Sequence, residues 1–255
     1  MIIDAHSHVH HTLADHIALL DEAGVDKAIL FMTRPHPERA GNLTELREEM
    51  DLLTQALAGG ALGRATARRE LDAAIAAYPD RFIGFASVPL DTPDADSIVE
   101  RDVVGRGLRG IGELTPPPDQ AALIEPVLRA ATDHDGLPVV VHGAAPTTAA
   151  DLRTLTDLAR RYPRVPLVVS QLGGAHWMDA IELVRDTPNM FLELSTASIV
   201  FAVRLAMAEI PERTLFGSDA PYGDPVIARI TVERATRSPH VRELVLGATA
   251  QQLLS

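Results

Sequence analysis

The chain contains no cysteine, so disulfides and thiolate metal sites are both excluded and any metal must be held by histidine or carboxylate side chains. Basic charge is scarce as well. The 23 Lys and Arg residues face 35 Asp and Glu, a formal net charge of -12, which argues against nucleic acid or an anionic membrane as a partner. No apolar run is long enough to span a bilayer, and the N-terminus lacks a charged segment leading into an apolar one, so neither a membrane span nor a secretion signal is expected. The expected class is a cytoplasmic enzyme acting on a small molecule, alone or as a homodimer.

What is present is an alternation. Short apolar runs over 2–5, 28–32, 82–88, 108–114, 138–141, 166–170, 190–194 and 214–217 are separated by segments of helical length and amphipathic pattern. Runs such as Val139-Val140-Val141 and Leu167-Val168-Val169 are apolar on both faces, as strands of a parallel sheet are. Repeated strand-then-helix units in 255 residues predict one closed (β/α)8 TIM barrel spanning 1–255, with a doubly wound open sheet as the alternative. The stretch 34–80 is too long for one crossover and carries two helical patterns, 42–58 and 64–78. It is expected to be a helical insertion after strand 2 that covers the barrel mouth.

In such a barrel, residues that do chemistry lie at the C-terminal ends of strands. There the sequence places His6, His8, Arg34, Glu113, His142, Gln171, Ser195 and Asp219. His6 and His8 are two apart, so on one strand they point the same way and can share an ion. Three histidines and an aspartate suit one divalent cation, zinc first, with manganese, iron or cobalt as substitutes. Glu113 is a further candidate ligand or a helix cap. Arg34 offers a planar fork for a substrate carboxylate, Tyr222 follows Asp219 closely enough to line a pocket, and Trp177 is either a packing residue or a substrate platform. His10, His11, His16, His36, His134 and His240 are read as loop or exposed-face residues.

Several stretches carry a resemblance: Asp4-Ala5-His6-Ser7-His8, Tyr78-Pro79-Asp80-Arg81-Phe82, Leu137 to His142, Leu172-Gly173-Gly174 and Phe216 to Pro221. Together they resemble the amidohydrolase superfamily, in particular the amidohydrolase-related branch with aminocarboxymuconate semialdehyde decarboxylase, aromatic-acid decarboxylases and lactonases. The resemblance implies one metal held by His6, His8, His142 and Asp219, with Glu113 as a ligand in some relatives. It also implies that a carboxylated lysine bridging two metals is excluded, because Lys27, the only lysine, precedes the second strand. One position departs from that family: Gln171 stands before Leu-Gly-Gly, where a histidine usually serves as an acid/base group. Glutamine does not titrate. His176, five residues on, could replace it. The expected activity is therefore hydrolysis of an amide, lactone or ester by a metal-activated water, with Asp219 as base and Gln171 as an oxyanion donor. The alternative is a metal-dependent decarboxylase or hydratase of a small unsaturated or aromatic acid.

Overall fold

The computed structural model describes residues 1–33, 35–57, 63–90, 92 and 94–255. Eight parallel strands pair in sequence order: β1 (Ile3–His8), β2 (Lys27–Phe31), β3 (Phe82–Ala86), β4 (Gly110–Leu114), β5 (Val139–Val141), β6 (Leu167–Val169), β7 (Met190–Glu193) and β8 (Thr214–Leu215). The sheet closes between its ends. Ala5 donates to the Phe216 carbonyl at 2.9 Å, and His8 to that of Ala220 at 2.7 Å. This is the (β/α)8 TIM barrel that the strand-helix alternation predicts.

The helices are α1 (Leu13–Glu22), α2 (Leu43–Leu57), α3 (Arg64–Ala77), α4 (Ala95–Asp102), α5 (Glu125–Asp133), α6 (Ala149–Arg161), α7 (Trp177–Arg185), α8 (Val200–Glu209), α9 (Pro225–Ala235), α10 (Pro239–Glu243) and α11 (Thr249–Leu253). Local chemistry starts several of them. Thr148 accepts from Asp151 N while the Asp151 carboxylate takes the Thr148 N–H, a capping box that opens α6. Asp224 and Ser238 cap α9 and α10, each followed by a proline at the first helical position. Among the described residues, no helix is long and apolar enough to cross a membrane.

The segment 34–80 differs from expectation in one respect. Helix α3 buries Ala67, Leu71 and Ala74, and Leu71 and Ala74 pack in the core with Phe82 and Ala86 of β3, so it is the barrel's own crossover helix and no part of a cover. Only the stretch before it is extra. The turn Pro37–Arg39 lies beside the mouth, where Glu38 takes the His11 N–H at 2.6 Å, and α2 is tied to it by Glu49, which takes the His36 N–H at 2.9 Å.

The core has two layers. Ile3, Ala5, Ile29, Phe31, Phe85, Val140, Val168 and Leu215 pack together inside the barrel, while the strand residues of opposite parity pack against the helices. In two places this alternation is broken by a β-bulge. On β1 the partners Asp4–Ala28 and Ser7–Leu30 set three steps against two. Ala5 and His6 therefore both face inward, His8 follows, and Ser7 is turned out to the helices. Asp4 fills the gap the bulge leaves: its carboxylate takes the His6 N–H at 3.1 Å and the Ser218 N–H at 2.9 Å. On β4 the partners Ile111–Val139 and Leu114–Val141 show the same extra residue, and Glu113 swings into the barrel beside Gly112. A Cβ on Gly112 would meet Val140 and Phe31 at 3.0–3.1 Å, so glycine is what lets the strand bend there.

The outward Ser7 has a consequence for α1. Its hydroxyl lies 2.9 Å from His16 Nε2, and the His16 ring stacks on His10 with centroids 3.8 Å apart. His16 is thus fully buried on α1, contrary to its reading as a loop or exposed-face residue, while His10 and His36 lie in loops as expected but are buried there. Burial pushes His16 down to about 2, so the folded ring stays neutral where the unfolded one, with a pKa near 6.5, becomes charged. As pH falls below 6.5 the unfolded state takes up this proton and the folded state does not, so His16 subtracts stability. We expect His16→Gln to remove that loss: relative to wild type, its unfolding free energy should improve by about 2 kcal/mol between pH 6.5 and pH 5. Parallel denaturant titrations at the two pH values check this.

Candidate metal centre

At the C-terminal end of the barrel the two bulges bring His6, His8 and Glu113 together, with one ligand atom of each within 4.8 Å of the others. Asp219 closes the set from beyond β8. Its Oδ1 lies 3.1 Å from His8 Nε2 and 3.5 Å from His6 Nε2, and Glu113 Oε2 lies 3.7 Å from His6 Nε2. Phe31 forms the floor, its ring 4.8 Å from that of His6. The Asp219 backbone holds a positive φ of 60°, anchored by its N–H to the His6 carbonyl at 2.7 Å.

The orientation of His6 comes from a residue that the sequence reading passed over. Glu193, the last residue of β7, takes the His6 Nδ1–H at 3.0 Å and also accepts from Ser195 Oγ at 2.7 Å and from Gln171 N at 3.2 Å. Both His6 and Glu193 are buried. A signal for it was available: Glu193 is two residues beyond Phe191, hence on the inward parity of an otherwise apolar strand. Gly217 makes room for it, since a Cβ there would lie 2.0 Å from Glu193 Oε1.

With Nδ1 committed to Glu193, His6 presents Nε2 to the cluster, and that buried nitrogen has no hydrogen-bond partner. Two imidazoles and two carboxylates thus face one another. Burial alone would push the His6 pKa down, but Glu113, Asp219 and Glu193 outweigh it and hold it up at about 10. Despite burial, His6 and His142 hold Glu113 well below the usual carboxylate range, and His6 and His8 do the same for Asp219. The cluster calls for a cation. This donor set, with an inner histidine oriented by an outer carboxylate, fits a divalent metal ion.

His142 stands differently from its expected role. Its Nδ1 lies 3.0 Å from Glu113 Oε1 and its Nε2 3.0 Å from the Ala145 carbonyl. Both ring nitrogens are thus engaged, one by the Glu113 carboxylate and the other by the Ala145 carbonyl. Burial opposes a charge on the ring, but Glu113 raises the His142 pKa above the ordinary value. In this arrangement His142 braces Glu113, and Glu113 stands with His6 and His8 among the candidate ligands.

Gln171 also departs from expectation. Its Oε1 accepts from Gly143 N at 3.2 Å and Ala144 N at 3.1 Å, and its Nε2 donates to Asp219 Oδ2 at 3.3 Å. The amide is a clamp on Asp219, on which it spends one of its two N–H groups. Tyr222 stands at the mouth with its ring 5.6 Å from that of His8. Trp177 packs edge-on against Phe201 at 5.8 Å, which makes it a packing residue. His176 occupies the position before α7, caps nothing with its side chain, and makes no hydrogen bond or ion pair with the cluster. Arg34 lies outside the described residues.

The fold and the site together define a (β/α)8-barrel enzyme with a candidate divalent-metal centre at its mouth. A family profile described as Amidohydrolase matches residues 3–255, and the chain belongs to that family, within the amidohydrolase superfamily. No curated protein matches the chain. Among solved structures it is similar to 5-carboxyvanillate decarboxylase from Sphingomonas paucimobilis, with a TM-score of 0.70 and 18% identity over 99% of this chain and 98% of that one. It is also similar to 4-oxalomesaconate hydratase from Rhodopseudomonas palustris, at 0.68 and 17% over 100% and 95%. A third is dihydroxybenzoic acid decarboxylase from Polaromonas, solved with manganese and 2-nitroresorcinol, at 0.69 and 17% over 99% and 96%. At these identities the likeness establishes the fold.

The purified protein is expected to carry about one divalent ion per chain, read by elemental analysis. Glu193→Gln should weaken metal affinity about 10- to 100-fold, the usual effect of losing a partner that orients a ligand histidine, as measured by competition with a chromogenic chelator. Unchanged affinity would remove Glu193 from the centre.

Proposed function

We propose that this protein is a metal-dependent carboxy-lyase acting on a small aromatic or unsaturated acid with a hydroxyl near its carboxylate. The observation that carries this reading is the engagement of Gln171. Hydrolysis would ask for a donor aimed at a developing oxyanion, but the Gln171 amide is turned to Asp219, on which it spends one of its two N–H groups, and its oxygen occupies the N–H groups of Gly143 and Ala144. A lyase asks for less: a cation to neutralise substrate oxygens, and one group to carry a proton to carbon. The names of the solved neighbours, decarboxylases and a hydratase, support the same class.

His6, His8, Glu113 and Asp219 would hold the ion, which when bound supplies positive charge for the substrate carboxylate and hydroxyl. Zinc is the metal expected from the sequence. A set with two carboxylates suits manganese equally well, and manganese is the ion in the Polaromonas enzyme. Asp219 moves the proton. Kept ionised by His6 and His8, it takes the proton of the substrate hydroxyl and leaves the electron pair on oxygen. It then delivers that proton to the carbon bearing the carboxylate. The bond to the carboxylate breaks, its electron pair restores the double bond, carbon dioxide leaves, and the product oxygen regains a proton from water. Gln171 Nε2 keeps Asp219 aimed throughout, and Tyr222 narrows the mouth beside His8. Hydrolysis is the second reading, favoured by one observation: Gln171 does not titrate and His176 stands apart, so Asp219 is the single acid/base group at the centre.

A panel of hydroxybenzoates, muconate-type acids, lactones, esters and amides, assayed for carbon dioxide release and for hydrolysis, separates the two. We expect carbon dioxide release from at least one acid, and a loss of at least about 10²-fold in turnover for Asp219→Asn. Hydrolysis without decarboxylation across the panel would overturn the lyase assignment.

A further inference from the structure

A shallow pocket lies between the C-terminal halves of α8 and α9, lined by Arg204, Met207, Pro211, Arg234, Thr236 and Arg237. Barrel helices run back from the mouth, so this pocket sits toward the face opposite the metal centre. Its charge is out of keeping with the chain. Acidic residues exceed basic ones overall, to a net charge of -12, yet no carboxylate lines this pocket.

The three arginines are also unengaged. Among the described residues none of them makes an ion pair or hydrogen bond, whereas Arg68, Arg81, Arg161 and Arg229 are each held by a carboxylate. Two of the acids close by in sequence are held by other arginines: Glu209 pairs with Arg185 at 3.2 Å and Glu233 with Arg229 at 3.0 Å. The last turn of α9 gives Arg234 a favourable place at the negative end of the helix dipole. That reason does not extend to Arg204, in the middle of α8, or to Arg237, beyond the end of α9. Around them the frame is fixed. Thr236 Oγ1 takes the Ser238 N–H at 3.1 Å, the Thr236 carbonyl accepts from Arg242 Nη2 at 3.2 Å, and Met207 is buried beneath.

Three like charges around one depression repel each other, and an anion placed between them relieves that repulsion with the forked geometry that guanidinium offers to oxyanions. Met207, Pro211 and Val241 add apolar wall. We propose that this pocket binds a small ligand carrying two or more negative charges on oxygen, attached to an apolar body. Binding here is independent of the reaction at the metal centre.

Phenyl phosphate is a suitable probe, because it joins a dianion to a ring. Calorimetry at low salt should give saturable binding to wild type that weakens as salt rises. The double variant Arg204→Gln/Arg237→Gln should bind at least about tenfold more weakly, the scale of losing charged hydrogen bonds. Arg204→Lys/Arg237→Lys should retain part of the affinity, and benzoate, with one charge, should bind wild type more weakly than phenyl phosphate. All three arginines are exposed, so the variants are expected to fold, which their thermal transitions would verify. No saturable binding to wild type, or equal affinity in wild type and the glutamine variant, would overturn the proposal.

Discussion

A strand can aim only every second side chain into a barrel, and the centre at the mouth depends on that rule being broken twice. Without the bulge on β1, a strand that points Ile3 and Ala5 inward would point His6 and His8 at the helices. Without the bulge on β4, Glu113 would share the outward parity of Ile111. Each bulge leaves a local defect that a particular residue repairs. Asp4 takes the freed His6 N–H, and Gly112 removes the side chain that would strike Val140 and Phe31. The placement of His6, His8 and Glu113 is therefore a property of the strands, which is where a preorganised site is most precisely held, and Asp219 joins them from beyond β8.

The second constraint is electrostatic. Asp4, Glu113, Glu193 and Asp219 are concentrated around His6, and burying four carboxyl groups together is costly unless each finds donors or a cation. They divide the work. Asp4 is satisfied by the backbone and Ser218, and its burial raises it to about 7. Glu193 is satisfied by His6, Ser195 and Gln171. Glu113 and Asp219 face His6 and His8, braced by His142 and Gln171, and these four side chains form the candidate cation site.

Gln171 links the centre to its chemistry. A histidine at this position would bring a second titrating group; the glutamine brings an amide that spans from the Gly143–Ala144 backbone to Asp219. The cost is one acid/base group, and the gain is a fixed direction for the one that stays.

The barrel was legible in the sequence because parallel strands buried on both faces leave continuous apolar runs, and their regular alternation with amphipathic segments admits few other folds. The type and place of the site were legible for a related reason: polar residues at the ends of such runs, His6, His8, Glu113 and Asp219, have few reasons to be there besides chemistry. What periodicity could not reveal was anything that depends on register across strands. The inward turn of Glu113 depends on the bulge against β5, and the engagement of the His142 ring depends on the nearby Glu113 carboxylate and Ala145 carbonyl. The place of helix α3 is likewise not legible in the sequence, which records its length but not the β3 surface on which Leu71 and Ala74 are buried. By itself the sequence determined the scaffold and the kinds of side chain at its mouth. Only the tertiary structure decided which of them point at one another, because a bulge of one residue reverses direction without leaving a mark in the hydrophobic pattern.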